Sequence, residues 1–301
     1  MSRHGALVRA FSIFAAMLAA PCAWGQTALD CSTQLIGSSQ SGELYTVNLT
    51  TGAGSLIGTM PSGLATEVEY DITNGILYAD ETDGGPNLHT IDLATGASTG
   101  TAMHPSGALN GLEFANGNLY GTFISGPGGP SEFVIVDPGT ANFTDVGPTG
   151  YGPISGLAYD ENTGVMYGVT AGGSTAQLVT ISLTTGAATA VGSTNYEFIG
   201  GLEFGPDGVL YAGTANGTGG PVGAASATAK IILPNTLLTI DTATGAASVV
   251  GPVGFSVTGL SACAQPASGP GAIPALSPAL LAVLAGLLAI FAVLGVRRRR
   301  A

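Results

Sequence analysis

Three groups of residues in this chain have types and spacings that could do chemistry. Asp80-Glu81-Thr82-Asp83-Gly84 is the densest run of carboxylates. Oxygen donors crowded on a short Gly-ended loop suit a hard cation, and calcium is the ion expected on Asp80, Glu81 and Asp83. The spacing differs from that of an EF-hand, and plain solubility explains surface acidity equally well. Glu69, Glu113 and Glu203 form the second group. They recur in similar local sequence, Val68-Glu69-Tyr70, Leu112-Glu113-Phe114 and Leu202-Glu203-Phe204, so they are expected at equivalent places in a repeated structure. If three such carboxylates converge, they raise one another's pKa or recruit a cation, unless water solvates them. Cys31 and Cys263 form the third group, and their chemistry depends on the compartment.

Several kinds of catalytic apparatus are not legible. His89 stands inside a repeated strand phrase and His104 in a connecting segment. The chain has no Cys-x-x-Cys pair and no His-x-x-x-His motif. Its one Trp is Trp24, close to the start. An enzyme needs a nucleophile, a base or a metal shell, and only the carboxylates qualify. No catalytic residue and no organic cofactor is expected.

These side chains must be positioned by a repeat. A phrase Leu-x-x-Ile-Asp-x-x-Thr-Gly occurs around Asn48, Asp92, Asp137, Ser182 and Asp241, with the copy at Val136-Asp137-Pro138-Gly139 degenerate. A second phrase, Gly-Leu-Glu-Phe followed by a turn and Leu-Tyr, falls between copies, as in Gly111–Tyr120 and Gly201–Tyr211. β-branched and aromatic residues alternate, and Asn-Gly, Asp-Gly or Thr-Gly pairs break the runs, so each unit reads as four short strands. Four strands per roughly 45 residues is the signature of a β-propeller blade. The chain opens on a second strand near Gln34-Leu35-Ile36-Gly37 and ends the pattern on a lone first strand, Gly259–Cys263. That phase predicts an all-β, five-bladed propeller closed by its last strand; an open β-solenoid is the rival architecture. Glu69, Glu113 and Glu203 fall on first strands, which line the axis. The tyrosines Tyr78, Tyr120, Tyr167 and Tyr211 are expected between blades. The loops expected to bind share one face and are Gly-rich: 80–86, 121–130, 169–174 and 212–235, the last carrying an insertion.

The two ends have a different character. Arg3 and Arg9 precede an apolar run from Ala10 to Ala20, and Ala23-Trp24-Gly25 offers small residues for cleavage. Residues 1–25 are therefore expected to be a Sec signal peptide. Ala279 to Val296 is an uncharged 18-residue run followed by Arg297, Arg298, Arg299 and Arg300. As a helix it spans ~27 Å, close to the ~30 Å of a bilayer core, and the arginines hold its end in the cytoplasm. A Pro/Gly/Ala linker, 264–272, joins it to the 26–263 domain. With two arginines in the signal and four in the tail, that domain keeps one basic residue, Lys230, against 19 acidic ones, a charge of −18. Nucleic acid is excluded as its partner, because phosphate binding needs cations. In an exported chain Cys31 and Cys263 are expected to form a disulfide that locks the ring.

Ile273-Pro274-Ala275-Leu276, the helix and the arginine cluster resemble the IPTL-CTERM sorting signals of Gram-negative bacteria, which are related to exosortase substrates. Ala275 stands where that family has Thr. The resemblance implies anchoring at the inner membrane facing the periplasm, with removal of the tail by an exosortase-like sorting protease. Release to the cell surface or extracellular matrix would follow; a permanent membrane anchor is the alternative. The repeats resemble secreted NHL- or YVTN-like propellers. The function expected is a non-enzymatic binding or structural scaffold contacting a surface polysaccharide or a protein. The alternative is a carbohydrate-active or metal-dependent enzyme using the axial carboxylates.

Overall fold

A computed structural model describes residues 29–60, 65–81, 87–104, 107–126, 129–171, 175–215 and 234–263. The expected signal peptide, linker, sorting motif, helix and arginine cluster lie outside the described residues, as do Asp83 and the insertion at 216–233. Among the described residues no helix is long and apolar enough to cross a membrane.

The described residues form twenty strands in five four-stranded antiparallel sheets. The first three are β1 (Gln34–Ser39), β2 (Glu43–Asn48) and β3 (Gly54–Thr59). The second blade is β4 (Ala65–Asp71), β5 (Ile76–Glu81), β6 (Asn87–Ile91) and β7 (Ser98–Met103). The third is β8 (Leu109–Ala115), β9 (Asn118–Ile124), β10 (Ser131–Val136) and β11 (Phe143–Pro148). The fourth is β12 (Ile154–Asp160), β13 (Val165–Thr170), β14 (Gln177–Ile181) and β15 (Ala188–Ser193). The fifth is β16 (Ile199–Phe204), β17 (Leu210–Thr214), β18 (Thr236–Ile240) and β19 (Ala247–Pro252). β20 (Val257–Ala262) pairs with β1 and completes the first blade, in the order β20-β1-β2-β3. The five innermost strands, β20, β4, β8, β12 and β16, touch one another in a closed ring. The predicted five-bladed propeller, closed by its final strand, is the observed fold.

Burial follows position in the blade. Inner strands are covered on both faces, whereas the outermost strands β3, β11, β15 and β19 each expose their second and third residues. The apolar core is five separate clusters, one at each seam between neighbouring blades. The repeated tyrosines sit in these seams: Tyr78 meets Phe114 of the next blade, and Tyr167 meets Phe204. Each fully buried Leu in such a seam contributes about 1.5–3 kcal/mol.

The Thr-Gly turns are set by their own side chains. Asp92 Oδ1 accepts the N–H groups of Ala94 and Thr95, and Asn48 and Asp241 do the same in their blades. Such local acceptors hold the chain until Gly enters the left-handed region, as at Gly96 and Gly245. In the degenerate third copy the left-handed residue is Ala141, not Gly139. Asp137 keeps the turn by accepting from Gly139 and Thr140, so the acceptor and not the glycine is its common element. The seams explain the difference. In four of them a turn glycine abuts a fourth-strand glycine so closely that a Cβ on Gly192 would lie 2.0 Å from the Thr244 carbonyl oxygen. Between the second and third blades Ala102 and Ala141 pack in one apolar cluster instead.

Cys31, just before β1, and Cys263, just after β20, form the disulfide. Their Cα atoms are 5.2 Å apart across a sequence separation of 232. The bond ties the two ends of the ring in the blade where the termini meet. Closing so long a loop is worth about 5 kcal/mol at most in the chain-entropy account. Cys263→Ser should therefore lower unfolding stability by up to about 5 kcal/mol while leaving the β-sheet spectrum unchanged. Urea titration followed by circular dichroism, with and without reductant, checks this; an unchanged midpoint would remove the disulfide from the closure.

Candidate functional site

The inner strand of each blade is a sheet edge, so part of its backbone N–H groups face the axis with no strand to receive them. Side chains at one repeated position answer this need. In blade order the position holds Ser261, Glu69, Glu113, Ala158 and Glu203. Ser261 Oγ accepts the Tyr70 N–H at 2.8 Å, and Glu69 Oε1 accepts the Phe114 N–H at 3.0 Å. Glu113 draws on the Tyr159 N–H in the same way. Ala158 has no acceptor to offer the fifth blade, and there Glu203 Oε1 takes its own neighbour's Phe204 N–H at 2.6 Å. Glu203 also draws on the Ala262 N–H. Side chain and backbone thus link one blade to the next around the axis.

The three glutamates converge. One carboxylate oxygen from each of Glu69, Glu113 and Glu203 lies within 4.8 Å of the others. Their relative exposures are 4, 6 and 4 %, so bulk water does not solvate them as exposed tunnel residues. Glu69 Oε2 and Glu113 Oε2 are buried without a hydrogen-bond partner. Burial pushes the Glu69 carboxyl up to about 8, against the pull of the Phe114 N–H. Burial also holds Glu113 well above the usual carboxylate range, reinforced by Glu203 and Glu69, and raises Glu203, reinforced by Glu69.

A fourth glutamate escaped the sequence reading. Glu67 on β4 stands where the other inner strands carry Gly111, Gly156, Gly201 and Gly259. It is fully buried, its Oε1 accepts the Val68 N–H at 3.2 Å, and its Oε2 has no partner. Burial raises its carboxyl strongly, and Glu69 and Glu203 add to the shift. Aligning the inner-strand phrases would have found it as the one acid in a column of glycines.

A cavity of about 290 Å³ leads to the triad from the face bearing the first-to-second strand turns, with Asp71 and Glu161 at its edge. A second cavity of about 240 Å³ lies at the opposite end, where the inner strands begin. Its lining includes Thr66, Asn110, Ser155 and Thr258 beside Ala65 and Val257. The strand ends that precede the loops expected to bind, Glu81, Ile124, Thr170 and Thr214, lie at this second face. The acidic cavity opens on the other one.

The expected calcium loop is not assembled from its first two members. Asp80 and Glu81 lie within β5, fully buried, and successive side chains of a strand point to opposite faces. Asp80 Oδ2 accepts Thr66 Oγ1 at 2.6 Å and the Leu109 N–H at 2.9 Å, and Oδ1 lies 2.7 Å from His104 Nε2. Glu81 lies 3.4 Å from His89 Nε2. Asp80 therefore ties the second blade to the third, with both carboxylate oxygens engaged by protein groups. His104 stacks on Phe143 in the same seam.

No protein-family model and no curated protein matches this chain. Among solved structures it is similar to a chain of a nidogen/laminin complex, at 14 % identity and TM-score 0.49, covering 76 % of this chain and 97 % of that one. It is also similar to a chain of the hydrazine synthase of Kuenenia stuttgartiensis, at 12 % identity and TM-score 0.43, covering 76 % and 68 %. Likeness at this level carries no functional argument, and the blade count rests on the sheet topology itself.

The axial carboxyls make stability fall as pH rises. In a chelator-treated protein the folded state keeps protons that the unfolded chain releases above its ordinary value of 4.5, so the loss develops between about pH 4.5 and the folded value of about 8. Urea midpoints at pH 5 and pH 8 should show it. Glu113→Gln keeps an acceptor for Tyr159 and removes the charge, so it should flatten the fall. Glu113→Ala should flatten it as well but leaves that N–H unpaired, so it should be about 1–3 kcal/mol less stable than Glu113→Gln at both pH values. Equal effects of Gln and Ala would refute this account.

Proposed function

We propose that the chain is an exported, non-enzymatic β-propeller that serves as a binding scaffold at the cell surface or in the extracellular matrix. Its signal peptide directs Sec export, and its C-terminal tail anchors it until an exosortase-like protease releases it. The observation that carries the binding role is the neutral cavity of about 240 Å³ at the start of the inner strands. Asn110, Ser155 and Thr258 offer hydrogen bonds there beside the apolar Val257 and Ala65, a lining suited to a neutral polar ligand such as a polysaccharide or a protein loop. The closed, disulfide-tied ring holds these groups rigidly, which limits the ordering cost of binding.

The enzyme reading draws on the other end of the axis, where raised carboxyls stand at the floor of an acidic cavity. Their oxygens lie within 4.8 Å of one another. That is closer than the ~5–5.5 Å or ~6.5–9.5 Å between the two carboxyls of a retaining or inverting glycosidase. Their bonds to backbone N–H groups also give them structural work that catalysis does not need.

One experiment addresses both readings. Protein released from cells should have an intact mass ending near residue 273, and it should bind back to cells lacking it. Asn110→Ala should weaken that binding by about fivefold, the effect of losing one neutral hydrogen bond, without lowering the melting temperature. Turnover of a surface glycan that Glu113→Gln abolishes would replace the scaffold reading with the enzyme one.

A further inference from the structure

We infer that the propeller axis is a calcium site formed by Glu69, Glu113 and Glu203, independent of any ligand bound at the neutral cavity. The donor set is oxygen only, which selects a hard cation. The three oxygens lie within 4.8 Å of one another. Two oxygens on opposite sides of a calcium ion stand at most ~5 Å apart, twice a bond of ~2.3–2.6 Å, so this spacing accommodates calcium. The cavity of about 290 Å³ that reaches the triad admits the water needed to complete a shell of ~6–8 oxygens.

Two further observations point to an ion and not to backbone capping alone. Glu69 Oε2 and Glu113 Oε2 are buried and have no hydrogen-bond partner, although Oε1 of Glu69 already serves a backbone N–H. Capping does not require a carboxylate, since the neutral hydroxyl of Ser261 does the same work for Tyr70. The charge itself therefore calls for a counter-charge. Among the described residues there is no Lys or Arg to supply one, and the two histidines face Asp80 and Glu81. Glu67 adds a further buried carboxyl next to the group, and Asp71 and Glu161 at the cavity edge favour the approach of a cation.

The test uses the full-length chain in detergent, stripped with chelator and returned to calcium alone. One calcium per chain should be retained on elemental analysis. The melting temperature should rise at about 1 mM Ca²⁺, within the range of extracellular calcium modules, and not at equal Mg²⁺. Terbium should give luminescence sensitised by Tyr70 and Tyr159, which line the cavity, and calcium should displace it. Glu113→Gln with Glu203→Gln should weaken binding by at least ~tenfold, since affinity follows ligand charge. Asp83→Asn should leave it unchanged. Retention of calcium by the double variant, or its loss in Asp83→Asn, would move the site elsewhere. If the double variant does not fold, the wild-type terbium measurement decides, and absence of a calcium-displaceable signal overturns the proposal.

Discussion

Closing five sheets around an axis leaves five edge strands facing one another at close range, with backbone N–H groups that no neighbouring strand receives. This constraint shapes the centre of the molecule. Glu69 and Ser261 accept across a seam, and Glu203 accepts locally where Ala158 leaves a gap. The cost is a group of buried acids with no Lys or Arg beside them among the described residues. A buried carboxylate is expensive unless it is protonated or paired, so this centre holds either protons or an ion.

The rest of the fold protects that arrangement. Each seam is its own small apolar core, and each depends on the close approach of turn to strand. Where glycines meet, backbone touches backbone; between the second and third blades Ala102 and Ala141 belong to the apolar cluster instead. Asp80 and His104, buried in this same seam, bond the second blade to the third through Thr66 and Leu109. The disulfide acts at the remaining weak point, the blade built from both ends of the chain. Rigidity is then a property of the whole ring, and the two ends of the axis can differ in chemistry: one acidic, one neutral.

Local sequence determined a large share of this protein. The alternation of apolar residues, the Asn-Gly and Thr-Gly turns and the phase of first and last strands give blade number, closure and the pairing of Cys31 with Cys263. These are legible because each depends on residues close in sequence or on a simple count along a repeat. The placement of Glu69, Glu113 and Glu203 at one repeated position was legible for the same reason, and Glu67 could have been.

Tertiary structure alone decided what those acids are. That three oxygens from strands 44 and 90 residues apart lie within 4.8 Å of one another follows from ring diameter and side-chain rotamers, which no local pattern encodes. Burial was equally invisible: an acidic run at 80–84 reads as a solvated loop until β5 is seen to extend through Asp80 and Glu81 and His104 is seen against Asp80. A carboxylate's chemistry is set by its dielectric surroundings and its partners. Both are assembled from distant parts of the chain, so the sequence names the donors and the fold decides their charge.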